Sequence, residues 1–534
     1  MYFLVQAWGE SDKISAWMLV NETAKLLVNT NMVKLDNNTI KETRILFLKS
    51  KFFIIRALIY FSFLLVPVWL QKTQSVHQSI QCLMMAFYTL FMIAQWFLLG
   101  KEIDYRLKIY FRVNSSIDRV VYRMFLGMFF MVIYFNLLSF LPSKWIYNLF
   151  WITWVVLGLF YSWPTRGKII KESVSTNLGE YKYLDSFEKT LVGMTVILFI
   201  VSIPELPALK NIEALKLHFD PLEKFSSQLW NFLVVNYYPF RKYPDLFKLA
   251  WSMHFYFVSL GGFLLLFYAT VRYFVSRRLS LLGVFALISS WSFSKILVVN
   301  FGASLSTTYT ILWVWTLFWV TKSSTYRAGL YLGLVGYWGA LINQSYAILL
   351  VVQIIMLYFF FLKDKTSWFK RQLLKYAILG IVLSLLTFFF QYDSWSAMNN
   401  MRISFYNEFI SVFERKAFNV LSVFGLILLV IKLFVPQLVF LNQVHVEREK
   451  VYQLFVSLLL IWIFAIFFDD YVIQSFSIMW PIVLLSLIPL ELVFQAISRL
   501  RSRRNMIYLI YIIICLLDSH VEGRVKIFLR IFNF

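Results

Sequence analysis

Fourteen apolar runs in succession, divided by short polar turns, constrain this chain more than any other feature. They lie near 52–70, 80–100, 124–141, 146–163, 190–203, 251–271, 280–293, 306–320, 328–342, 345–362, 376–390, 418–440, 452–468 and 475–496, and a weaker run at 506–517 makes a fifteenth. A helix needs about 20 mostly apolar residues to cross a bilayer, and several runs reach that length only with flanking residues. Composition points the same way. Of 534 residues, 60% are hydrophobic and 15% charged, where a soluble chain carries about 45–50% and about 25%. Mean hydropathy is +0.69. A soluble globular domain is excluded, and so is disorder, which needs the opposite composition. The expected fold is an all-α polytopic membrane protein with about 14 transmembrane helices, or about 15 if the last run also crosses.

A net charge of +23 does not imply nucleic acid, because the basic residues sit in small clusters between apolar runs and no basic domain exists to hold a duplex. Such clusters orient membrane helices through the positive-inside rule. With a cytoplasmic N-terminus and alternating sides, the inside segments hold Lys41–Arg56, Lys101–Arg123, Arg166–Lys171, Arg272–Arg278, Lys322–Arg327, Lys363–Lys375, Arg448–Lys450 and Arg499–Arg504. The short outside turns hold only Lys72, Lys144 and Lys295. The alternation stays in phase to Arg504. Arg56, Lys432 and Glu491 fall inside apolar runs but toward inner ends, from which they can snorkel to water. The start Met1–Trp8 is too short and lacks the basic n-region of a cleavable signal. These features fit a multi-pass protein of a bacterial cytoplasmic membrane, and an endoplasmic-reticulum location would look much the same.

The chain divides into a cytoplasmic or interfacial segment (1–51), a four-helix membrane module (52–163), a cytoplasmic linker (164–189) and a larger core (190–534). The core carries two long outer loops, 204–250 and 391–417. Outside segments longer than a turn requires are where function concentrates.

A membrane enzyme working on a lipid-linked substrate needs a carboxylate to deprotonate an acceptor, cations to hold a phosphate and an apolar groove for the lipid. The outer loops offer Asp220 as general base, in a setting (Phe219, Trp230) where burial would raise its pKa. Asp220-Pro221 followed by Glu223 equally resembles a helix N-cap with Pro at the first helical position, and the two roles can coexist. Arg241, Lys242, Lys295 and Arg402 are the candidate phosphate-binding cations, with lipid headgroups as their alternative partners. His218 stands two residues before Asp220 and is a further phosphate contact or a surface histidine. The five histidines are scattered without ligand spacing, so no metal site is expected. The adjacent pair Asp469-Asp470 is compatible with a divalent cation, but a solvated helix end explains it as well. Cys82 and Cys515 lie inside apolar runs and read as small apolar fillers. There is no Walker A motif, no Gly-x-Ser-x-Gly and no His-Glu-x-x-His. Ionisable groups near the membrane midplane are scarce, which weighs against an ion-coupled transporter.

From about Lys189 onward the order of features resembles the GT-C superfamily of integral-membrane glycosyltransferases. A first core helix leads into HFDPLEKFSSQLWN (218–231), similar to an aspartate followed by a QxxWN pattern. YPDLFKLAW (243–251) then resembles a segment re-entering the membrane. Arg277-Arg278, SSWSFSK (289–295), the polar turn SLSTTYT (304–310) and the glycine-spaced AGLYLGLVGYWGAL (328–341) continue the order. The resemblance covers about two-thirds of the chain. It implies a donor sugar carried on a polyprenyl phosphate or diphosphate, used on the extracytoplasmic face; no cofactor is expected. It also implies a loop aspartate as base, which maps to Asp220, with Glu205 as the second mapping. The acidic pair common in this loop is absent, and the four-helix module lies outside the family pattern. Two readings stand beside this one. One is a polysaccharide polymerase, ligase or lipid-linked-sugar transporter. The other is a non-enzymatic scaffold with a degenerate GT-C fold, whose four-helix module docks a protein partner.

Overall fold

The structure is a computed structural model. It describes residues 54–72, 78–109, 116–138, 143–162, 183–202, 246, 249–250, 253–254, 256–290, 301–321, 323, 325–342, 345–388, 416–435, 448–465, 471–496 and 501–517. Among these residues the fold is all-helical, without a strand. Every apolar run read from the sequence overlaps a helix. The physical reason is that an apolar segment must pair its own backbone N–H and C=O groups, and a helix does so within the segment. By length and composition one helix of the described residues, Ile80–Leu107, is long and apolar enough to cross a membrane.

The helices are α1 (Val66–Lys72), α2 (Gln78–Leu107), α3 (Ser116–Leu138), α4 (Ser143–Ser162), α5 (Ser186–Ser202), α6 (Gly262–Val271), α7 (Arg277–Ser289), α8 (Phe301–Thr321), α9 (Ala328–Ile342), α10 (Ser345–Met356), α11 (Ser367–Phe388), α12 (Lys416–Phe434), α13 (Arg448–Ala465), α14 (Tyr471–Ala496) and α15 (Arg501–Leu517). A π-helical turn, Tyr256–Gly261, leads into α6, and another, Leu357–Phe361, continues α10.

The chain forms two compact units. In the smaller, 1–60 with 158–167, Gly158 lies under the Tyr60 ring, where a Cβ would come within 2.3 Å of Cε1. The larger unit, 61–157 with 168–534, is centred on α8. Helix α8 packs against α6, α9, α13 and α14, and its Trp313, Trp315 and Trp319 are fully buried. Helix α3 packs on α6, α9 and α11, so helices from before and after residue 163 share this unit.

Two close approaches shape the packing. Helices α2 and α3 meet backbone to backbone at Gly100 and Gly127, where an added Cβ would stand 1.8 Å from the carbonyl oxygens of Arg123 and Trp96 respectively. Helices α9 and α11 meet at Gly329 and Gly333, where a Cβ would stand 1.9 Å from the Leu373 carbonyl oxygen and 2.2 Å from that of Ala377. Glycine facing glycine on α2 and α3, and glycines four apart on α9, allow this approach, which brings dispersion contacts that do not depend on expelling water.

Aromatic rings tie α3, α8 and α9 together. Tyr122 meets Trp319 at 4.6 Å and Tyr331 at 5.1 Å, Phe129 meets Tyr331 and Trp338, and Tyr309 meets Trp338 at 6.2 Å and Tyr346 at 4.4 Å. The outward faces are also apolar. Ile80, Leu83, Phe87 and Leu90 on α2, Val351, Ile355 and Phe359 on α10 and its π turn, and Val420, Val423, Phe424, Ile427 and Ile431 on α12 are each more than a third exposed at helical spacing.

Candidate functional site

Asp220, Glu205, His218, Arg241, Lys242, Lys295 and Arg402 all lie outside the described residues. What the structure describes is the helical frame that carries the segments holding them. The frame has two chemically different ends.

At the first end, the residues flanking the segment 203–255 touch. The Tyr256 hydroxyl donates to the Phe199 carbonyl at 2.5 Å, and the two rings lie 4.6 Å apart. Glu205, His218, Asp220, Arg241 and Lys242 all belong to that segment. Beside this closure stands the early part of α8, whose Thr307, Thr308, Tyr309 and Thr310 are all buried. These residues belong to the SLSTTYT stretch. Thr308 Oγ1 donates to the Ser259 carbonyl at 3.3 Å. Thr310 Oγ1 donates to the Thr307 carbonyl at 2.8 Å and accepts from Trp480 Nε1 at 3.3 Å. His254 is buried with its ring edge-on to Trp96 at 5.6 Å. Ser259 Oγ and Tyr309 Oη are buried without a hydrogen-bond partner among the described residues. A buried hydroxyl left unpaired is costly, so this cluster has capacity to bond a further polar group. Its donors are neutral.

At the opposite end, charges are paired. Asp185 and Glu188 form a reciprocal capping box at the start of α5: the Glu188 N–H donates to Asp185 Oδ1 at 2.7 Å and the Asp185 N–H to Glu188 Oε2 at 3.0 Å. Arg277 then grips Glu188 with Nε and Nη2, both at 2.8 Å, and Arg278 pairs with Asp185. Burial pushes the Asp185 carboxyl up, but the Glu188 N–H and the Arg278 guanidinium outweigh it and hold it below the usual carboxylate value. At the start of α7, the Ser276 N–H donates to Glu491 at 3.1 Å. The snorkelling expected of Glu491 is therefore not what its carboxylate does. It is mostly buried and accepts from the backbone at the start of a neighbouring helix.

A second group ties α2 and α3 to later helices. Asp104 accepts from Tyr122 at 3.3 Å and from Arg123 at 3.2 Å. Asp118, in the first turn of α3, accepts from Trp315 Nε1 at 3.0 Å and from the Tyr273 hydroxyl at 3.4 Å. Arg327 donates to the Leu107 carbonyl at 3.0 Å. Apart from Trp315 and Glu491, these residues come from the segments 101–123, 164–189, 272–278 and 322–327, which the alternation of charge assigns to one side, and here those segments are found in contact. The capping box was readable as Asp-Ser-Phe-Glu (185–188). The buried acids Asp104 and Asp118 carried no such signal.

Among the described residues no group of three or more His, Cys, Asp or Glu side chains could hold a metal ion. Comparison with protein-family models, curated proteins and solved structures found no match.

Proposed function

We propose that the chain is a multi-pass membrane glycosyltransferase of GT-C type, transferring a sugar from a polyprenyl-phosphate carrier to an acceptor on the extracytoplasmic face. Membrane embedding is supported by an inverted surface: apolar side chains at helical spacing face outward on α2, α10 and α12, while Asp104, Asp118 and Glu188 are buried. A water-soluble body rarely exposes contiguous apolar area on that scale, whereas lipid favours it.

The observation that carries the assignment is the closure of Tyr256 on Phe199 beside the buried hydroxyls of α8. It joins the flanks of the Asp220-bearing segment at one spot and sets neutral donors next to them, as a sugar hydroxyl requires. In this reading Asp220, or Glu205 in its stead, takes the acceptor's hydroxyl proton. The oxygen attacks the anomeric carbon, and the bond to the carrier phosphate breaks. Arg402 with Arg241, Lys242 or Lys295 neutralises the departing phosphate, and His218 donates to it. No metal or cofactor enters the scheme, and the partners are the lipid-borne donor and membrane lipids.

The test is release of polyprenyl phosphate from a panel of polyprenyl-phosphate sugars by membranes holding the full chain. Wild type consumes one donor, and Asp220→Asn slows that reaction by about 10²-fold or more with unchanged insertion. If Arg241→Gln and Arg402→Gln abolish function while Asp220→Asn is silent, a lipid-linked-sugar transporter or ligase replaces the glycosyltransferase. If every one of these variants is silent, a scaffold replaces it.

A further inference from the structure

Helix rise sets how far the hydroxyl cluster stands from the ion-paired end. Eleven residues of α5 separate Glu188 from Phe199, and eleven of α14 separate Trp480 from Glu491, about 16 Å of helix in each case. Along α8, seven residues separate Thr308 from Trp315, which bonds Asp118, or about 10 Å. Exposed aromatic side chains bracket these distances. At the ionic end Tyr105 follows Asp104, the Tyr183 carbonyl accepts from Arg277, and Trp368 meets Tyr326 beside Arg327, with Tyr105, Tyr183 and Trp368 all exposed. Far from that end stands the exposed Trp145, next to Lys144. Sixteen residues of α3 run from Asp118 to Tyr134, whose hydroxyl is hydrogen-bonded to Thr153 Oγ1 at 2.6 Å, and eight of α4 run on from Thr153 to Trp145. The path is about 36 Å of helix. Aromatic residues collect at both headgroup levels of a bilayer, and this separation matches a hydrocarbon core of about 30 Å with its margins. The hydroxyl cluster therefore lies about halfway across.

At that depth bulk water does not satisfy a stray polar group. Yet Ser259 Oγ and Tyr309 Oη are buried without a hydrogen-bond partner among the described residues. Ser259 belongs to the π-helical turn Tyr256–Gly261, an irregularity that often marks a functional site. The groups around them are the hydroxyls of Thr307, Thr308 and Thr310 and the indole of Trp480, with no Lys, Arg, Asp or Glu among them. A charged group drawn to this depth would find no counter-charge in the cluster and would be strongly disfavoured.

We infer that the cluster is a binding site for a neutral sugar ring, recessed to about the middle of the bilayer, with Ser259 and Tyr309 hydrogen-bonding its hydroxyls. The choice of a sugar rests on the glycosyl-transfer reading, whereas the depth and the neutrality do not.

Three measurements on the full chain in lipid nanodiscs test it. A nitroxide on Ile200→Cys, an exposed position beside Phe199, reads the depth. Its relaxation responds to oxygen and hardly to a water-soluble nickel chelate, whereas nitroxides on Trp145→Cys and Tyr183→Cys respond to the nickel. Nickel access at position 200 equal to that at 145 overturns the recess. Ser259→Cys, which is nearly isosteric, reads the site. It reacts with methyl methanethiosulfonate, a small neutral reagent, and hexyl glucoside protects it while hexyl sulfate does not. An unreactive thiol, or equal protection by the two compounds, overturns the neutral-sugar site. Tyr309→Phe in that background leaves thermal stability unchanged or raised and weakens protection by hexyl glucoside about 5-fold. A clear loss of stability would show the hydroxyl to be a structural partner and overturns its assignment. If hexyl glucoside protects but wild type consumes no polyprenyl-phosphate sugar, the site stands and the glycosyl-transfer reading falls.

Discussion

The two ends of the helical frame are built from different chemistry. One is fastened by carboxylates and guanidinium groups: Glu188 with Arg277, Asp185 with Arg278, Asp104 with Arg123. The other holds threonine and tyrosine hydroxyls, His254 and indole N–H groups. The charges of these three pairs are matched within the fold, so they are structural even though the sequence presents their basic members as orientation signals. The hydroxyl end has bonding capacity left over in Ser259 and Tyr309. In the proposed scheme the full charges come from the segments 203–255, 291–300 and 389–415.

The largest expected effect breaks the ionic end. Asp118→Ala leaves the indole N–H of Trp315 and the hydroxyl of Tyr273 without this acceptor, and should cost about 3 kcal/mol. Unfolding of the detergent-solubilised protein measures it. A loss no larger than that of an exposed alanine substitution would dissolve the distinction between the ends. Thr308→Val at the hydroxyl end should cost only about 1 kcal/mol of stability and instead slow donor turnover.

The smallest effect concerns acid. The folded pKa of Asp185 is lowered, so its stabilisation is fully present above the unfolded value of about 3.9 and is lost as pH falls through the folded value. Asp185→Asn should therefore be less stable than wild type at pH 7, with the gap closing in strong acid. A gap that stays constant down to that range would mean the carboxylate's charge is not what fastens α5 to α7.

Much of the frame was legible in the sequence because apolar length is a local property. The runs predicted helices, and each of them overlaps a helix among the described residues. Which helices meet was not legible. Nothing near Asp118 announces Trp315, which is distant in sequence, and Glu491 gave no sign that it would accept from Ser276. Such pairings are decided by shape and by the cost of leaving a buried polar group unmet. The candidate catalytic and phosphate-binding residues were chosen by chemistry and loop length, and they lie on segments outside the described residues. The stretch SLSTTYT, read as a polar turn, lies instead within α8, where the Tyr309 hydroxyl is buried and unpaired among the described residues.

The most direct test of the two-ended account is sidedness. Glu223→Cys reports on the segment 203–255 and Lys365→Cys on the ionic end. The native Cys82 and Cys515 are buried and give little background. The account predicts that a membrane-impermeant maleimide applied to intact cells labels the Glu223→Cys protein at once. The Lys365→Cys protein should be labelled only after the membrane is permeabilised. Labelling of both in intact cells, or the reverse order, would contradict it.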